Sequence, residues 1–273
     1  MRLKLTFTQK QSGQFIPLNY NYHISTFIYK TISSSSNEYS KWLHDSGFAS
    51  GYKKFKFFTF SMLNIPKREI TGNRIKILSD QVELTVSMLS EKSVENFVIG
   101  MFENQEMRIY DGKTEAEFSV KTIEALPDPD YRQVMKFKTL SPVMLSKKTL
   151  YNGKDSEYYL NPSDADYLEY FKRNLEEKYI AYLLSCHSRE GGNPVMGGLY
   201  AEAGAEPQIT DFKILNGTKS KLLTIKEGRA DETKVRGYIY SFELHAAPEF
   251  MHLGYQTGFG KLNSLGFGCT EVI

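Results

Sequence analysis

The stretch GYQTGFGKLNSLGFG at residues 254–268 sets two Gly-Phe-Gly triplets on either side of the segment Lys261 to Leu265. Glycine reaches positive φ without a steric penalty and lets another group approach the backbone closely. A loop built from such residues can aim amide N–H groups at phosphate oxygens. Lys261 and Ser264 would add a charge and a hydroxyl. The plainer reading is a tight turn between two edge elements, with Phe259 and Phe267 packed inward. The loop is not a Walker A motif, because no Gly-Lys-Ser/Thr ending is present. It is not a dinucleotide fingerprint, because no strand-to-helix context with a distal acid follows.

Working outward, two halves of similar element order emerge. In the first half RLKLTF alternates as a strand does. Ile24, Phe27, Ile28 and Ile32 then recur at helical spacing, and the serine run from Ser33 ends that helix. EYSKWLHDSG forms a second helical piece closing at Gly47. YKKFKFFTFSML, residues 52–63, reads as one strand, followed by RIKIL and VELTVSML. Ser90 stands where it can cap a helix with apolar positions Val94, Phe97, Val98 and Met101. Strand candidates follow near Met107–Tyr110 and Ala116–Ile123. LPDPD, residues 126–130, punctuates the chain. The second half runs from the strand-like VMKFKTLSPVML to a long helix facing inward with Leu168, Phe171, Leu175, Tyr179 and Tyr182. Strands at 209–225 and 235–244, a short helix near 248–255 and a last strand near 267–273 complete it. This order predicts an α+β fold of two split βαβ units with antiparallel sheets, divided as 1–128 and 129–273.

Composition narrows the function. The 273 residues carry 34 Lys and Arg against 32 Asp and Glu, a net charge of +2, with 41% hydrophobic and 14% aromatic residues. Such a chain folds, and a nucleic-acid partner would need a local basic patch. One exists. Between residues 51 and 80, Lys53, Lys54, Lys56, Lys67, Arg68, Arg74 and Lys76 face only Glu69 and Asp80. Lysines interleaved with Tyr52, Phe55, Phe57 and Phe58 suit an RNA backbone; the alternative is a strand with a solvated lysine face. Two cysteines, Cys186 and Cys269, exclude a disulfide scaffold and a cysteine zinc finger. His23, His44, His187, His245 and His252 form no zinc motif, and no two-metal carboxylate set is visible. No metal and no cofactor are therefore expected. With no leader and no apolar run of membrane length, a soluble cytoplasmic protein is the expectation.

Five segments together resemble the CRISPR repeat-processing endoribonuclease family of the repeat-associated mysterious protein superfamily. They are PLNYNYHISTFIYKTI at 17–32, WLHDSGF at 42–48, KKFKFFTFS at 53–61, FKTLSPVML at 137–145 and the glycine loop at 258–268. The resemblance runs from end to end and implies two ferredoxin-like domains. It implies metal-independent cleavage of CRISPR repeat RNA in precursor transcripts. The 2′-hydroxyl attacks, leaving 2′,3′-cyclic phosphate and 5′-hydroxyl ends and generating guide RNAs. The family's tyrosine and histidine resemble Tyr29 and His44, and its lysine falls on Lys54, with Lys53 the alternative. Lys53, Lys56, Gly258, Gly260, Lys261, Ser264, Gly266 and Gly268 would contact RNA. Acid and base roles of Tyr29 and His44 stay open, as do a homodimer and association with CRISPR effector subunits. Two competing readings are a non-catalytic RNA-binding subunit of an effector complex and a small-molecule enzyme on the same fold.

Overall fold

In the computed structural model, residues 1–151, 153–187 and 208–273 are described. Arg189 and the side chain of His187 lie outside them. The first half contains β1 (Arg2–Gln9), β2 (Phe15–Pro17), α1 (Asn21–Ser35), α2 (Asn37–Asp45), β3 (Phe48–Ser50), β4 (Lys53–Phe55) and β5 (Phe58–Phe60). It continues with β6 (Arg68–Thr71), β7 (Arg74–Ile77), β8 (Gln81–Met88), α3 (Glu91–Glu103), β9 (Glu106–Tyr110) and β10 (Glu115–Leu126). Its main sheet has the order β5-β8-β1-β10-β9, every pair antiparallel. The alternation of β1 buries Leu3, Leu5 and Phe7. The predicted stripe of α1 meets them, with Phe27 edge-on to Phe7 at 6.0 Å and to Phe97 of α3 at 6.4 Å.

The second half contains β11 (Val134–Thr139), β12 (Ser146–Tyr151), β13 (Lys154–Tyr159), α4 (Tyr167–His187) and β14 (Ile209–Ile214). It ends with β15 (Lys219–Ile225), β16 (Thr233–Ile239), β17 (Ser241–Ala246), α5 (Pro248–Thr257) and β18 (Thr270–Val272). Its main sheet, β14-β17-β11-β18, is also antiparallel. Hairpins β12–β13 and β15–β16 stand apart from it. The fold is mixed α+β with antiparallel sheets.

Residues 52–63 do not form one strand. Phe57 takes a left-handed φ of 52°, which divides the run. Before it, β4 pairs with β3; after it, β5 pairs with β8. A regular strand would send Phe57 and Phe58 to opposite faces, whereas the kink buries both. Left-handed backbone costs a non-glycine residue roughly 1–2 kcal/mol. Stacking of Phe57 on Phe48 at 4.6 Å and Phe55 at 6.0 Å offsets it. Strands read at 209–225 and 235–244 are likewise divided, into β14–β15 and β16–β17. Ser90 precedes α3 as expected, yet its side chain caps no amide and lies 3.3 Å from the Tyr39 hydroxyl instead.

The halves meet through polar contacts as well as rings. Arg2 of β1 is 1% exposed. Its guanidinium donates to the carbonyls of Thr270 (2.5 Å) and Tyr255 (2.6 Å) and sits 3.5 Å over the Tyr255 ring. Asn21 donates to the Gly266 carbonyl and Thr59 to the Phe267 carbonyl, at 3.2 and 2.9 Å. The glycine loop is thereby pinned beside α1 and β5.

Candidate active site

The short helix α2 exists because Ser36 can turn the chain. It ends α1 in extended conformation, and its hydroxyl accepts the Tyr39 amide at 3.2 Å as the cap of α2. Leu43 and Tyr39 anchor the helix inward, which leaves His44 and Asp45 exposed at its C-terminus. Tyr29 projects from α1 toward them. Its ring lies edge-on to His44 at 5.3 Å and to Phe58 at 5.4 Å. Two of the expected site residues, remote enough in sequence to lie on different helices, are therefore neighbours.

The lysines of 53–56 diverge. The Lys56 ammonium donates to the His44 carbonyl, and Lys54 donates to the Asp45 carbonyl at 3.0 Å. Both satisfy carbonyls at the negative end of α2. Lys53 instead pairs with Glu177 of α4. A cavity of about 700 Å³ is lined by Tyr29, His44, Asp45, Lys56 and Ser264, together with Lys30, Lys41 and Lys226. A second, of about 410 Å³, is lined by Lys53, Lys54, Lys56, Lys178, Lys261 and Ser264 among others. Lys56 and Ser264 belong to both and form the wall between them. Neither Lys54 nor Lys53, the expected catalytic lysines, lines the cavity that holds Tyr29 and His44; Lys56, expected only as an RNA contact, does.

Electrostatics sort the groups further. Burial pushes the Tyr29 phenol up to about 12, against a smaller opposing pull from the nearby Ser264 hydroxyl. Burial and the adjacent Lys54 ammonium bring Lys56 down to about 8. The hydrogen bond from His44 holds the Asp45 carboxyl below its ordinary range. His44 Nδ1 stands 2.8 Å from Asp45 Oδ1. Donation from Nδ1–H to that carboxylate leaves Nε2 with a lone pair. Among the described residues, no three His, Cys, Asp or Glu side chains converge to hold a metal ion.

The glycine loop follows the plainer of its two readings in one respect. Gly258, Gly260, Gly266 and Gly268 all have positive φ and are buried. Phe259 and Phe267 are fully inside. The room a side chain would take is occupied by Thr59, Met144, Phe60 and Phe259 respectively. Lys261 is half-buried and donates to the carbonyl and hydroxyl of Ser146, both at 2.9 Å. The loop's chemical contribution to the cavity is Ser264.

The basic excess of residues 51–80 does not form one track. Arg74 is bound to Asp111 at 2.8 Å and Arg68 to the Ile65 carbonyl at 3.1 Å. Lys30, Lys41 and Lys226 take their place around the cavity. Lys41 was legible, since it stands three residues before His44 on one helical face. Lys226 has no sequence signal; it comes from a distant hairpin.

Similarity to known proteins accords with this geometry. The family model for CRISPR associated protein Cas6, C-terminal, matches residues 124–272, and that for CRISPR-associated protein Cas6, N-terminal, matches residues 15–124. A CRISPR-associated endoribonuclease Cas6 1 of Methanocaldococcus jannaschii is 31% identical over 271 residues, covering 98% of this chain and 91% of the relative. A CRISPR-associated endoribonuclease Cas6 of Pyrococcus furiosus is 26% identical, covering 99% of this chain and 88% of the relative. A solved structure described as a Cas6-related gene product from Pyrococcus furiosus has a TM-score of 0.77 at 28% identity, covering 100% of this chain and 98% of the other.

Proposed function

We propose, on the premise that this chain belongs to the Cas6 family of CRISPR-associated proteins, that it cleaves CRISPR repeat RNA in precursor transcripts without metal. The observation that carries the reading is the meeting of Tyr29, His44 and Lys56 in one lysine-rimmed cavity. The order of both main sheets supports tandem ferredoxin-like units, 1–128 and 129–273. Four lysines, Lys30, Lys41, Lys56 and Lys226, line the cavity against one carboxylate, Asp45, which favours a polyanion over an uncharged small molecule.

The step is a transesterification. His44 Nε2 takes the proton of the 2′-hydroxyl, and the 2′-oxygen forms a bond to phosphorus. The bond from phosphorus to the 5′-oxygen breaks, and that oxygen takes a proton from the Lys56 ammonium. Before it does so, the same ammonium stabilises the charge of the phosphorane. Tyr29, pushed up to about 12, keeps its proton near neutral pH. Its role is to hold the reacting ribose in line by a hydrogen bond rather than to act as base. Asp45 fixes the imidazole tautomer. Lys30, Lys41, Lys54 and Lys226 attract the phosphate backbone, and Ser264 is the loop's contact to RNA. Lys56 thus takes the role the resemblance assigned to Lys54 or Lys53.

The test is incubation with repeat RNA in chelator, followed by analysis of product ends. Cyclic phosphate and 5′-hydroxyl ends are expected, with no cut when the upstream sugar is deoxyribose. His44→Ala should keep RNA affinity and lose most cleavage. Binding by the wild-type protein without cleavage would leave the non-catalytic subunit as the reading.

A further inference from the structure

Lys178 lies in the middle of α4 and is 1% exposed. No carboxylate pairs with it among the described residues. Removing an ammonium from water costs several kcal/mol, and apolar residues of similar volume often replace buried charges without loss. A methionine would fill this position without that penalty, so packing does not account for the charge. Its hydrogen bonds do. Nζ donates to the Gly258 carbonyl at 2.5 Å and to Asn263 Oδ1 at 2.7 Å. Asn263 in turn donates from Nδ2 to the carbonyls of Phe259 (3.1 Å) and Phe267 (3.0 Å), drawing together the two ends of the glycine loop. The next residue, Ser264, lines the same cavity as Tyr29 and His44. One turn before Lys178, Asn174 Oδ1 is buried without a partner, so the amide on that face of α4 does not compensate the ammonium.

We infer that Lys178 is a positioning residue for RNA cleavage: its ammonium clamps the glycine loop through Gly258 and Asn263 and thereby fixes Ser264 in the cavity it lines with Tyr29. The inference rests on the cleavage reading above. The link is covalent and local at its far end, since Asn263 and Ser264 are adjacent. A shift of Asn263 is passed directly to the hydroxyl beside the reacting ribose. Misplacement by about 1 Å at such a point costs on the order of 100-fold in rate. Lys178 does not line the cavity of Tyr29 and His44; it lines the neighbouring one, with Lys54, Lys56 and Ser264.

The experiment compares wild type, Lys178→Met, Ser264→Ala and the double variant in single-turnover cleavage of repeat RNA, with RNA affinity and thermal unfolding measured alongside. Lys178→Met leaves the Gly258 carbonyl and Asn263 Oδ1 without the ammonium, so it should unfold somewhat earlier than wild type yet bind RNA with nearly unchanged affinity. Its cleavage rate should fall about 10- to 100-fold. The double variant should cleave no more slowly than the worse single variant, since both act through one contact. A wild-type rate for Lys178→Met, or losses that multiply in the double variant, would overturn the clamp. If Lys178→Met fails to fold, Asn263→Ala replaces it in the same cycle with the same expectations. Absence of cleavage by the wild-type protein would instead remove the cleavage reading, and the positioning role with it. Cleavage that depends on His44 but not on Lys178 would remove the positioning role alone.

Discussion

Gly268→Ala tests what the glycine loop is for. Gly268 has φ +77, and an added Cβ would stand 1.9 Å from the Phe259 carbonyl oxygen and 2.7 Å from Asn263 Nδ2. Left-handed backbone costs alanine roughly 1–2 kcal/mol. The clash adds about 1–3 kcal/mol, the usual penalty of overpacking, because Phe259 has nowhere to go. Its ring is wedged against Phe137, Phe171 and Phe242 at 5.3 to 5.5 Å. The Phe259 amide also donates to the Gly268 carbonyl at 2.9 Å. A total of about 2–5 kcal/mol corresponds to a fall in Tm of roughly 4–20 °C for a chain of this size. Gly72→Ala is the matched control, with φ +60 and nothing within 4 Å of the added Cβ. It isolates the backbone penalty of roughly 1–2 kcal/mol. The assay is thermal and urea unfolding of both variants, with RNA affinity measured where they are folded. Equal small losses of stability, with RNA binding weakened only by Gly268→Ala, would show that the glycine serves the ligand and not the packing.

Lys56 is an ammonium below pH about 8 and an amine above it, so cleavage should decline as pH rises through that value. Lys56→Arg should lose most cleavage at every pH, because the guanidinium keeps its charge but gives up no proton to the leaving oxygen; single-turnover rates over roughly four pH units around that value decide it. Ser36→Ala removes the cap that accepts the Tyr39 amide and should cost about 1 kcal/mol in urea unfolding. Burial pushes the Asp111 carboxyl up, but the Thr114 and Lys113 amides and Arg74 outweigh it and hold the group down to about 2. The folded state thus favours the carboxylate, and its contribution is fully present above the ordinary value and is lost as pH falls through about 2. Asp111→Asn should flatten that acid limb in unfolding curves.

Periodicity made the helices legible. Ile24, Phe27, Ile28 and Ile32 mark the buried side of α1, and the same spacing carries Tyr29 one position round toward α2. The strand of 52–63 was not legible as two, because alternation says nothing about a left-handed Phe57. That conformation is held by Phe48 and Phe55, which reach it only once β3 and β4 have paired. The site divides in the same way. Tyr29 and His44 could be named from their local segments. The lysine could not: the segment pointed to Lys54 or Lys53, whereas Glu177 draws Lys53 aside and Lys56, read only as an RNA contact, lines the cavity.

The sequence by itself determined the helical faces, the aromatic content, the glycines and the residue types available for proton transfer, since those follow from composition and short-range spacing. Tertiary structure decided which lysine shares a cavity with the tyrosine and histidine. It also decided that the four glycines face inward and that a lysine on α4 anchors their loop. These outcomes depend on groups far apart in the chain being desolvated together. Burial, which selects the hydrogen-bonded partner of every buried polar atom, has no signature in local spacing.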